Sequence, residues 1–444
     1  MTLTRREVLL AAAVAPAVVP QAAAYARSGA SPAASPGASP AASPGVSPAA
    51  SPAAAPLKPP SLPAKSAFAP MSYTYLDSGS THPMSLGAKA ALQDYLTYKT
   101  RDHSAPAIDM DEKEKSVIEG FGKLVGARPD ELCFIQSTTM GENLAIQALD
   151  LPRAGGRIVT DALHFFGSFY TYGELGKAGM DVVTLPMTPE GKIDMSAMEA
   201  AINDKTKLVA ISLVSTTNGY QHDLKRISDM AHAHGAFVYA DIVHGAGTIP
   251  LDLRASGVDF AASSSYKWLM GDFGLGFLYV RREIQERIRR PWWGYHQVAS
   301  FKTHVFPHDP PSPAVADYTS SPDAAGRFAM GTYSWTGLVQ LDYSLAWLNQ
   351  LGVPAIQSWR QPLVNTVQTE LRRRGYEPMT PLDSKTPLVA FALQDARPKL
   401  ADLLKAANIR ITTSQNRFRV SISIFNDMND IDRLLEALPK SPPA

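Results

Sequence analysis

The pattern of hydrophobic and polar positions predicts strands and helices that alternate along most of the chain. Short apolar runs typical of buried strands occur at "RIVTDA", "GMDVVTLPM", "KLVAISLVS" and "AFVYAD". Between two of them, in "LKRISDMAHAHG", Leu224, Ile227 and either Met230 or Ala231 share one face at helical spacing. Gly235 stands where the C-cap of this helix belongs. The alternation indicates an α/β fold with a mainly parallel sheet, in which ligands bind at the carboxyl ends of the strands.

The last part of the chain has a different organisation. It begins near Leu338 with a long helical pattern, "GLVQLDYSLAWLNQLG", and closes with a strand-like "FRVSISIF" and an amphipathic "MNDIDRLLEAL". We therefore expect a large domain over residues 67–337 and a smaller C-terminal α+β domain over residues 338–444.

The first residues predict export rather than a folded element. Residues 1–26 carry a charged start with Arg5 and Arg6, an apolar stretch and small residues suited to cleavage, as in a twin-arginine signal peptide. A buried N-terminal helix or a membrane anchor is the alternative. Residues 27–66 repeat Ala, Ser and Pro, a composition typical of a disordered linker. The prediction is a periplasmic or secreted protein without stable membrane association once the signal is removed.

Composition narrows the function classes further. A hydrophobic fraction of 45% with 19% charged residues is typical of a globular protein, and a net charge of +1 argues against nucleic-acid binding. The single cysteine, Cys133, excludes an intramolecular disulfide and a zinc site of several thiolates; in "ELCFIQ" it is predicted to be a buried strand residue. His232 and His234, two residues apart on a helix, point to different sides, so no metal site is expected.

Candidate chemistry centres on a lysine in "AASSSYKWLMGDFGLGFLYV". Lys267 lies between two strand-like runs, where a solvated lysine with a snorkelling stem is the simpler interpretation. Three neighbours favour a functional one. Asp241 follows the strand "FVYAD", although it could be only a helix N-cap. His164 follows another strand, and residues 137–139 start a helix whose free N–H groups suit an anion.

Together these segments resemble the class V aminotransferase and cysteine desulfurase branch of the fold type I enzymes, which depend on pyridoxal 5'-phosphate. The similarity runs from Tyr75 to Leu438 and rests on an Asp-x-x-His segment, Asp241 to His244, and on "SSYK", which ends at Lys267. The resemblance implies a large domain with a mainly parallel seven-stranded sheet.

The resemblance also implies a role for each site residue. Lys267 would form the internal Schiff base and act as general base. Asp241 would hold the pyridine nitrogen protonated, while His164 would stack on the cofactor ring and His244 would lie near its phenolic oxygen. The remaining cofactor contacts would come from Thr138, Thr139, Ser264 and Tyr266 at the phosphate, and from Thr216 at the position where the family usually has an asparagine; Asn218 stands two places on.

Two further matches concern the dimer and the substrate. In "RFAMGTYSW", Thr332 would reach the cofactor phosphate of a neighbouring subunit, which implies a homodimer with shared active sites. In "FRVSISIF", Arg419 would bind the carboxylate of an amino-acid substrate through two hydrogen bonds, with Arg410 as a second candidate. The alternative for Arg419 is an outward-facing strand residue.

The expected activity is that of an aminotransferase or a β-lyase that acts on an amino acid through an external aldimine. Segment 408–420 has no cysteine for persulfide chemistry, and "RPWWGYH" is similar to kynureninases. An epimerase of the same branch and a catalytically inactive secreted binding protein remain as alternatives. The Ser-x-x-Lys spacing of Ser264 and Lys267 also occurs in penicillin-binding proteins, but there it lies on a helix and is followed by a Lys-Thr-Gly strand, which this sequence lacks.

Overall fold

The computed structural model describes residues 61–101 and 107–443. The predicted twin-arginine signal and most of the predicted linker lie outside the described residues. Residues 61–66, which the sequence assigned to the linker, are described, and Ala64 is buried and donates its backbone N–H to Ile424 O at 2.8 Å. The packed chain therefore begins a few residues before the predicted start at Ala67.

Helices and strands alternate through the first three quarters of the chain, as the hydrophobic pattern predicts. The strands are β1 Thr74–Tyr75, β2 Leu132–Ile135, β3 Arg157–Asp161, β4 Asp181–Leu185, β5 Thr206–Ser212, β6 Phe237–Asp241, β7 Phe260–Ser264, β8 Gly276–Val280, β9 Val298–Thr303, β10 Ala316–Ser320, β11 Glu377–Pro378, β12 Leu388–Ala392, β13 Ile409–Arg410, β14 Thr412–Thr413 and β15 Arg417–Ser421. The helices are α1 Leu86–Lys99, α2 Met110–Val125, α3 Thr138–Ala148, α4 Phe166–Lys177, α5 Met195–Ala201, α6 Leu224–Ala233, α7 Leu253–Ser256, α8 Ala324–Phe328, α9 Trp335–Leu351, α10 Val353–Arg373, α11 Ala396–Ala406 and α12 Met428–Ala437.

The large sheet has seven strands in the order β2-β8-β7-β6-β5-β3-β4. β8 runs antiparallel to β2 and β7, and the other four neighbouring pairs are parallel, so the predicted mainly parallel seven-stranded sheet is confirmed. All five residues of β7 and of β8 are buried, which is what a sheet covered on both faces requires of its central strands. The carboxyl ends of β3, β5, β6 and β7 consequently meet at one edge.

Amphipathic helices cover this sheet where the pattern placed them. In α6, Leu224, Ile227 and Ala231 are buried as predicted, and Gly235 has the positive φ of 70° that follows many helix ends. Helix α3 packs especially close to the sheet, because a Cβ on Gly141 would lie 2.7 Å from the Ala262 Cβ of β7. The first turn of α3 is thereby held at the end of β7.

A second sheet and a second core lie in the C-terminal part. β11, β12, β15 and β14 form a four-stranded antiparallel sheet. Its core includes Leu363 and Val364 of α10 and Phe418 of β15. The predicted domain start at Leu338 falls inside α9, whose buried side chains belong to the core of the large sheet. The apolar stripe of α9 correctly predicts a helix, but it does not indicate which hydrophobic core the helix packs against.

The segment Phe301–Asp317 groups apart from the rest of the described chain. His304 organises it: its backbone N–H donates to Val315 O at 3.0 Å, and its ring nitrogens lie 2.6 Å from Pro310 O and 3.0 Å from Asp317 Oδ2.

In the described ranges, none of the helices combines the length and apolar character needed to cross a bilayer.

Candidate active site

Lys267 lies in the connection between β7 and β8 and is buried, with 8% of its surface exposed. Its Nζ is 3.2 Å from His244 Nε2. The pKa of Lys267 is lowered to about 8, mainly by burial and in smaller part by the charge of Arg419, whereas Asp241 and Asp77 oppose the shift. Near neutral pH the amine is therefore much more available as a nucleophile or base than a surface lysine. The snorkelling interpretation is wrong for this residue.

Asp241 ends β6, next to the end of β7 where the lysine connection begins. Its Oδ1 accepts a hydrogen bond from the backbone N–H of Val243 at 2.9 Å. Burial raises the pKa of Asp241, and the positive charges of Lys267 and His164 act against that rise. A carboxylate held in this way is suited to pairing with a cationic N–H group.

His244, three residues after Asp241, joins the lysine to a tryptophan. Trp268 Nε1–H donates to His244 Nδ1 at 3.0 Å, and His244 Nε2 faces Lys267 Nζ. Burial lowers the pKa of His244 well below its ordinary value, and the nearby charges of Lys267 and Arg419 lower it further. The imidazole is therefore neutral at physiological pH.

His164 follows β3 and is held by hydrogen bonds at both ring nitrogens. Nδ1 lies 2.9 Å from Ser212 Oγ at the end of β5, and Nε2 lies 3.0 Å from Glu142 Oε1 in α3. Burial raises the pKa of Glu142, but its pairing with His164 outweighs burial and leaves this pKa below the ordinary value. Burial likewise lowers the pKa of His164, and Glu142 reverses the effect and raises it. The two groups form a buried ion pair.

The start of α3 provides backbone donors beside the end of β7. Ser137 caps the helix by accepting from the N–H of Met140 at 3.2 Å, and the N–H of Thr138 donates to Ser264 Oγ at 3.2 Å. Thr139 is exposed in the first turn, and the half-buried Tyr266 stacks on a neighbouring phenylalanine ring. Hydroxyl groups and a helix N-terminus at one place form a site for a phosphate group.

Arg419 lies in β15 and is buried, so the outward-facing alternative is wrong. Its Nη1 donates to Thr216 O at 3.0 Å and to Thr216 Oγ1 at 2.7 Å, and its Nη2 donates to Thr412 Oγ1 at 3.0 Å and to Ser80 Oγ at 3.2 Å. The pKa of Arg419 is lowered to about 10, mainly by burial. The Asp77 carboxylate, 3.8 Å away, acts in the opposite direction because it favours the charged guanidinium. The guanidinium remains charged and lies near enough to Lys267 to lower the pKa of that amine.

Comparisons with known proteins agree with this arrangement. The family model described as aminotransferase class-V matches residues 74–434. This chain belongs to the class V aminotransferase family. A probable cysteine desulfurase of Methanothermobacter thermautotrophicus is 26% identical over 289 residues, which cover 64% of this chain and 69% of that protein. A cysteine desulfurase of Escherichia coli is 24% identical over 347 residues, 74% of this chain and 82% of the relative.

Solved structures share the fold. The cysteine desulfurase CsdA of Escherichia coli superimposes with a TM-score of 0.72 at 22% identity, over 84% of this chain and 97% of that one. The cystine C-S lyase C-DES, in complex with its reaction product cysteine persulfide, gives a TM-score of 0.72 at 17% identity, over 84% and 98% of the two chains. The predicted fold type I architecture is thus confirmed.

The site residues predicted for this class V chain separate into two groups. In the first group, the charges of Lys267 and His164 lower the pKa of Asp241, and the charge of Lys267 lowers the pKa of His244. Arg410, in contrast, is not part of this cluster: its side chain is 60% exposed and its Nε lies 3.9 Å from Asp77 Oδ2. It is the last residue of the short strand β13, in which Ile409 is buried and Arg410 is exposed.

Two other residues lie away from the lysine. Thr332 is exposed and its Oγ1 lies 3.0 Å from Tyr295 OH, so its predicted contact to a neighbouring subunit stays a prediction. Asn218 donates to Gly191 O at 2.7 Å and to Met379 O at 3.1 Å, which makes it a structural residue. Thr216 accepts two hydrogen bonds from Arg419, and its predicted contact with the cofactor stays a prediction.

Glu142 is the residue that the sequence reasoning missed. Besides His164 it accepts hydrogen bonds from Ser168 Oγ at 2.7 Å and Tyr172 OH at 2.5 Å. The sequence contains one indication of this role. Glu142 stands between Gly141 and Leu144 on the face of α3 that packs on the sheet, and a charged residue buried there requires partners.

The donor set fits pyridoxal phosphate, the cofactor that the class V match implies. A buried carboxylate at Asp241 suits the pyridine N–H, a buried amine of lowered pKa at Lys267 suits the aldehyde, and the α3 N-terminus with Ser264 suits the phosphate. These three features occur at the carboxyl ends of neighbouring strands, in the place where α/β sheets bind ligands.

Proposed function

We propose that this protein is a pyridoxal-phosphate-dependent β-lyase that cleaves a carbon–sulfur bond at Cβ of an amino acid. The observation that carries the proposal is the cluster of Lys267, Asp241 and Arg419: a base of lowered pKa, a carboxylate for the pyridine nitrogen and a buried cation for the substrate carboxylate. When bound, the cofactor supplies an electron sink for the pair of electrons left at Cα.

Each residue of this chain has a definite task in that reaction. Arg419 binds and orients the substrate carboxylate, for which its four hydrogen bonds to hydroxyl and carbonyl oxygens hold the guanidinium in place. Lys267 accepts the proton from Cα. Asp241 keeps its partner nitrogen protonated; at about 4 Å and an effective dielectric near 20, such a pair is worth roughly 4 kcal/mol before desolvation.

Elimination is favoured because this chain lacks a group to receive sulfur. A desulfurase needs a mobile cysteine thiolate, whereas Cys133 lies in β2 with 1% of its surface exposed, and burial raises the pKa of its thiol. We expect the Cα–H and Cβ–S bonds to break, so that sulfur leaves as a thiolate with the bonding electron pair and takes up a proton to become a thiol. The three-carbon remainder then hydrolyses to pyruvate and ammonium.

Epimerisation would need a second proton-moving group opposite the lysine. His164 is the group that the family match places on the cofactor ring, and both of its ring nitrogens are engaged, by Glu142 and by Ser212. It therefore offers no free base. Transamination uses the same residues as elimination, and the products separate the two.

The test is a spectrum and a product assay on the full-length chain loaded with pyridoxal phosphate. We expect a near-visible absorption band, and after borohydride a cofactor adduct on Lys267 detected by mass spectrometry. Lys267→Ala should lose both, whereas Lys177→Ala, at an exposed lysine, should keep both. S-alkyl cysteines should then yield pyruvate, ammonium and a thiol, whereas cystine should yield pyruvate, ammonium and cysteine persulfide, because its S–S bond is not broken. A keto acid formed only in the presence of an amino-group acceptor would assign transamination instead.

We further propose a homodimer with shared sites. Exposed aromatic groups near Thr332 support it: Trp293 is 86% exposed, and Tyr295 hydrogen-bonds to Thr332. Mixing inactive Lys267→Ala and inactive Thr332→Tyr chains should restore activity through one intact site per mixed dimer. Failure of the mixture to recover activity, with dimers present by sedimentation, would rule out sharing.

Export by the twin-arginine route is also a proposal, supported by Arg5 and Arg6 in the sequence. Cell fractionation should find the protein in the periplasm or medium, and changing both arginines to lysine should retain it in the cytoplasm. Unchanged export of the lysine variant would contradict this route.

A further inference from the structure

Trp268 and His244 form a contact that determines where the imidazole proton resides. The indole N–H is a donor and has no acceptor function, and it points at His244 Nδ1 over 3.0 Å. A neutral imidazole carries one N–H, so an Nδ1 that accepts leaves the proton on Nε2. Both side chains are buried, which leaves water little chance to substitute for either partner.

The Nε2–H group then determines the role of Lys267. Lys267 Nζ lies 3.2 Å from this nitrogen, and an ammonium group has three donors and no lone pair. Two donors would face each other if both groups were protonated. The contact is satisfied when Lys267 is the neutral amine and accepts from His244, which is also the form that reacts with an aldehyde.

We propose that Trp268 is a positioning residue: it fixes His244 in the Nε2–H tautomer and thereby presents a hydrogen-bond donor at the reactive end of Lys267. The consequence for catalysis rests on the proposed function, because the family match places the phenolic oxygen of the cofactor beside His244. A donor fixed there would stabilise negative charge on that oxygen.

Removing the indole N–H has a predictable effect on the lysine. His244 would then populate the Nδ1–H tautomer, in which Nε2 accepts a hydrogen bond from the Lys267 ammonium. The other charges that act on this amine, Asp241, Asp77 and Arg419, stay the same. Loss of a hydrogen bond of ordinary strength corresponds to about a fivefold change in the tautomer ratio and raises the Lys267 pKa by about 0.7.

The experiment measures the tautomer directly in the full-length chain labelled with 15N-histidine, as purified and after removal of bound pyridoxal phosphate. Nitrogen shifts and couplings identify which ring nitrogen of His244 carries the proton. The variants are Trp268→Phe and a benzothienylalanine at the same position, which keeps the ring shape and lacks the N–H. Trp347→Phe, at a buried tryptophan elsewhere in the core, is the matched control.

We expect Nε2–H in the wild type and in Trp347→Phe, and a mixture in both position-268 variants. We also expect reductive methylation of Lys267 to shift to higher pH in those variants alone. Nδ1–H or a doubly protonated ring in the wild type would overturn the inference, as would an unchanged tautomer in the benzothienylalanine protein. A chain that shows the expected tautomers but binds no pyridoxal phosphate would refute the proposed function and leave the tautomer assignment standing.

Discussion

The pair formed by Glu142 and His164 gives the sharpest stability prediction. At 3.0 Å and an effective dielectric near 20, the attraction between the two charges is about 5 kcal/mol before desolvation. Removing one partner leaves the other charge buried and unpaired, so Glu142→Ala should lower the free energy of unfolding by about 3–5 kcal/mol. Glu142→Gln keeps the shape and should still lose most of the coupling to His164.

The pH dependence of this coupling follows from the two pKa shifts. The pKa of Glu142 is lowered on folding, so its contribution is present above its unfolded value of 4.5 and is lost as the pH falls through the folded pKa. The pKa of His164 is raised, so its contribution is complete below its unfolded value of 6.5 and is lost as the pH rises through the folded pKa. The coupling should therefore be greatest between pH 4.5 and 6.5.

The assay is a double-mutant cycle by urea unfolding of the cofactor-free protein, with Glu142→Gln, His164→Asn and both together. We expect a coupling of at least about 1.5 kcal/mol at pH 5.5, and a smaller one at pH 9. Glu174→Gln is the matched control, because Glu174 pairs with Lys177 on the surface and should contribute less than about 0.5 kcal/mol. A coupling near zero at pH 5.5, or one equal at both pH values, would refute the ion pair.

Other predictions concern single residues. Arg419→Lys should raise KM for the amino acid at least about tenfold, because an ammonium cannot make the two parallel bonds of a guanidinium; an unchanged KM would remove Arg419 from the carboxylate site. Asp241→Asn should lower kcat by about 10³, measured with saturating cofactor, and a loss below tenfold would contradict its role. Cys133→Ala should leave kcat unchanged, because the thiol is buried in β2. A variant that folds but is inactive would indicate that Cys133 takes part in a persulfide mechanism. The hydrogen bond to Asp317 raises the pKa of His304. Its contribution to the stability of segment Phe301–Asp317 should therefore be complete below pH 6.5, and the segment should open as the pH rises through the folded pKa. Amide exchange at pH 6 and 9 tests this, and equal protection at both would contradict it.

Much of the fold could be predicted from the sequence because its signals are local. Strands β5 and β6 are buried along nearly their whole length, and this gives them the nearly continuous apolar runs "LVAI" and "FVYA". Asp241 is the last residue of β6 and Lys267 lies three residues after β7, so their position at one edge followed from strand direction alone.

What the sequence could not provide depends on tertiary packing. Glu142 is one charged residue in a helix, and only the fold places three donors around it. Arg410 of β13 and Arg419 of β15 both lie on short strands with similar surroundings in the sequence, yet one is exposed and the other buried. The apolar stripe of α9 shows that it has a buried face and does not show which of two cores receives it.

The placement of Arg419 makes the site sensitive to changes far from it. Lys267 follows a strand of the seven-stranded sheet, whereas Arg419 belongs to the four-stranded sheet, and its contacts with Thr216 tie one sheet to the other. The distance between Lys267 and Arg419 is therefore a distance between two sheets, each with its own hydrophobic core. Substitutions that shift one layer by a fraction of an ångström, in either hydrophobic core, would change which substrate length fits, so selection for new substrates could act at positions that never touch one.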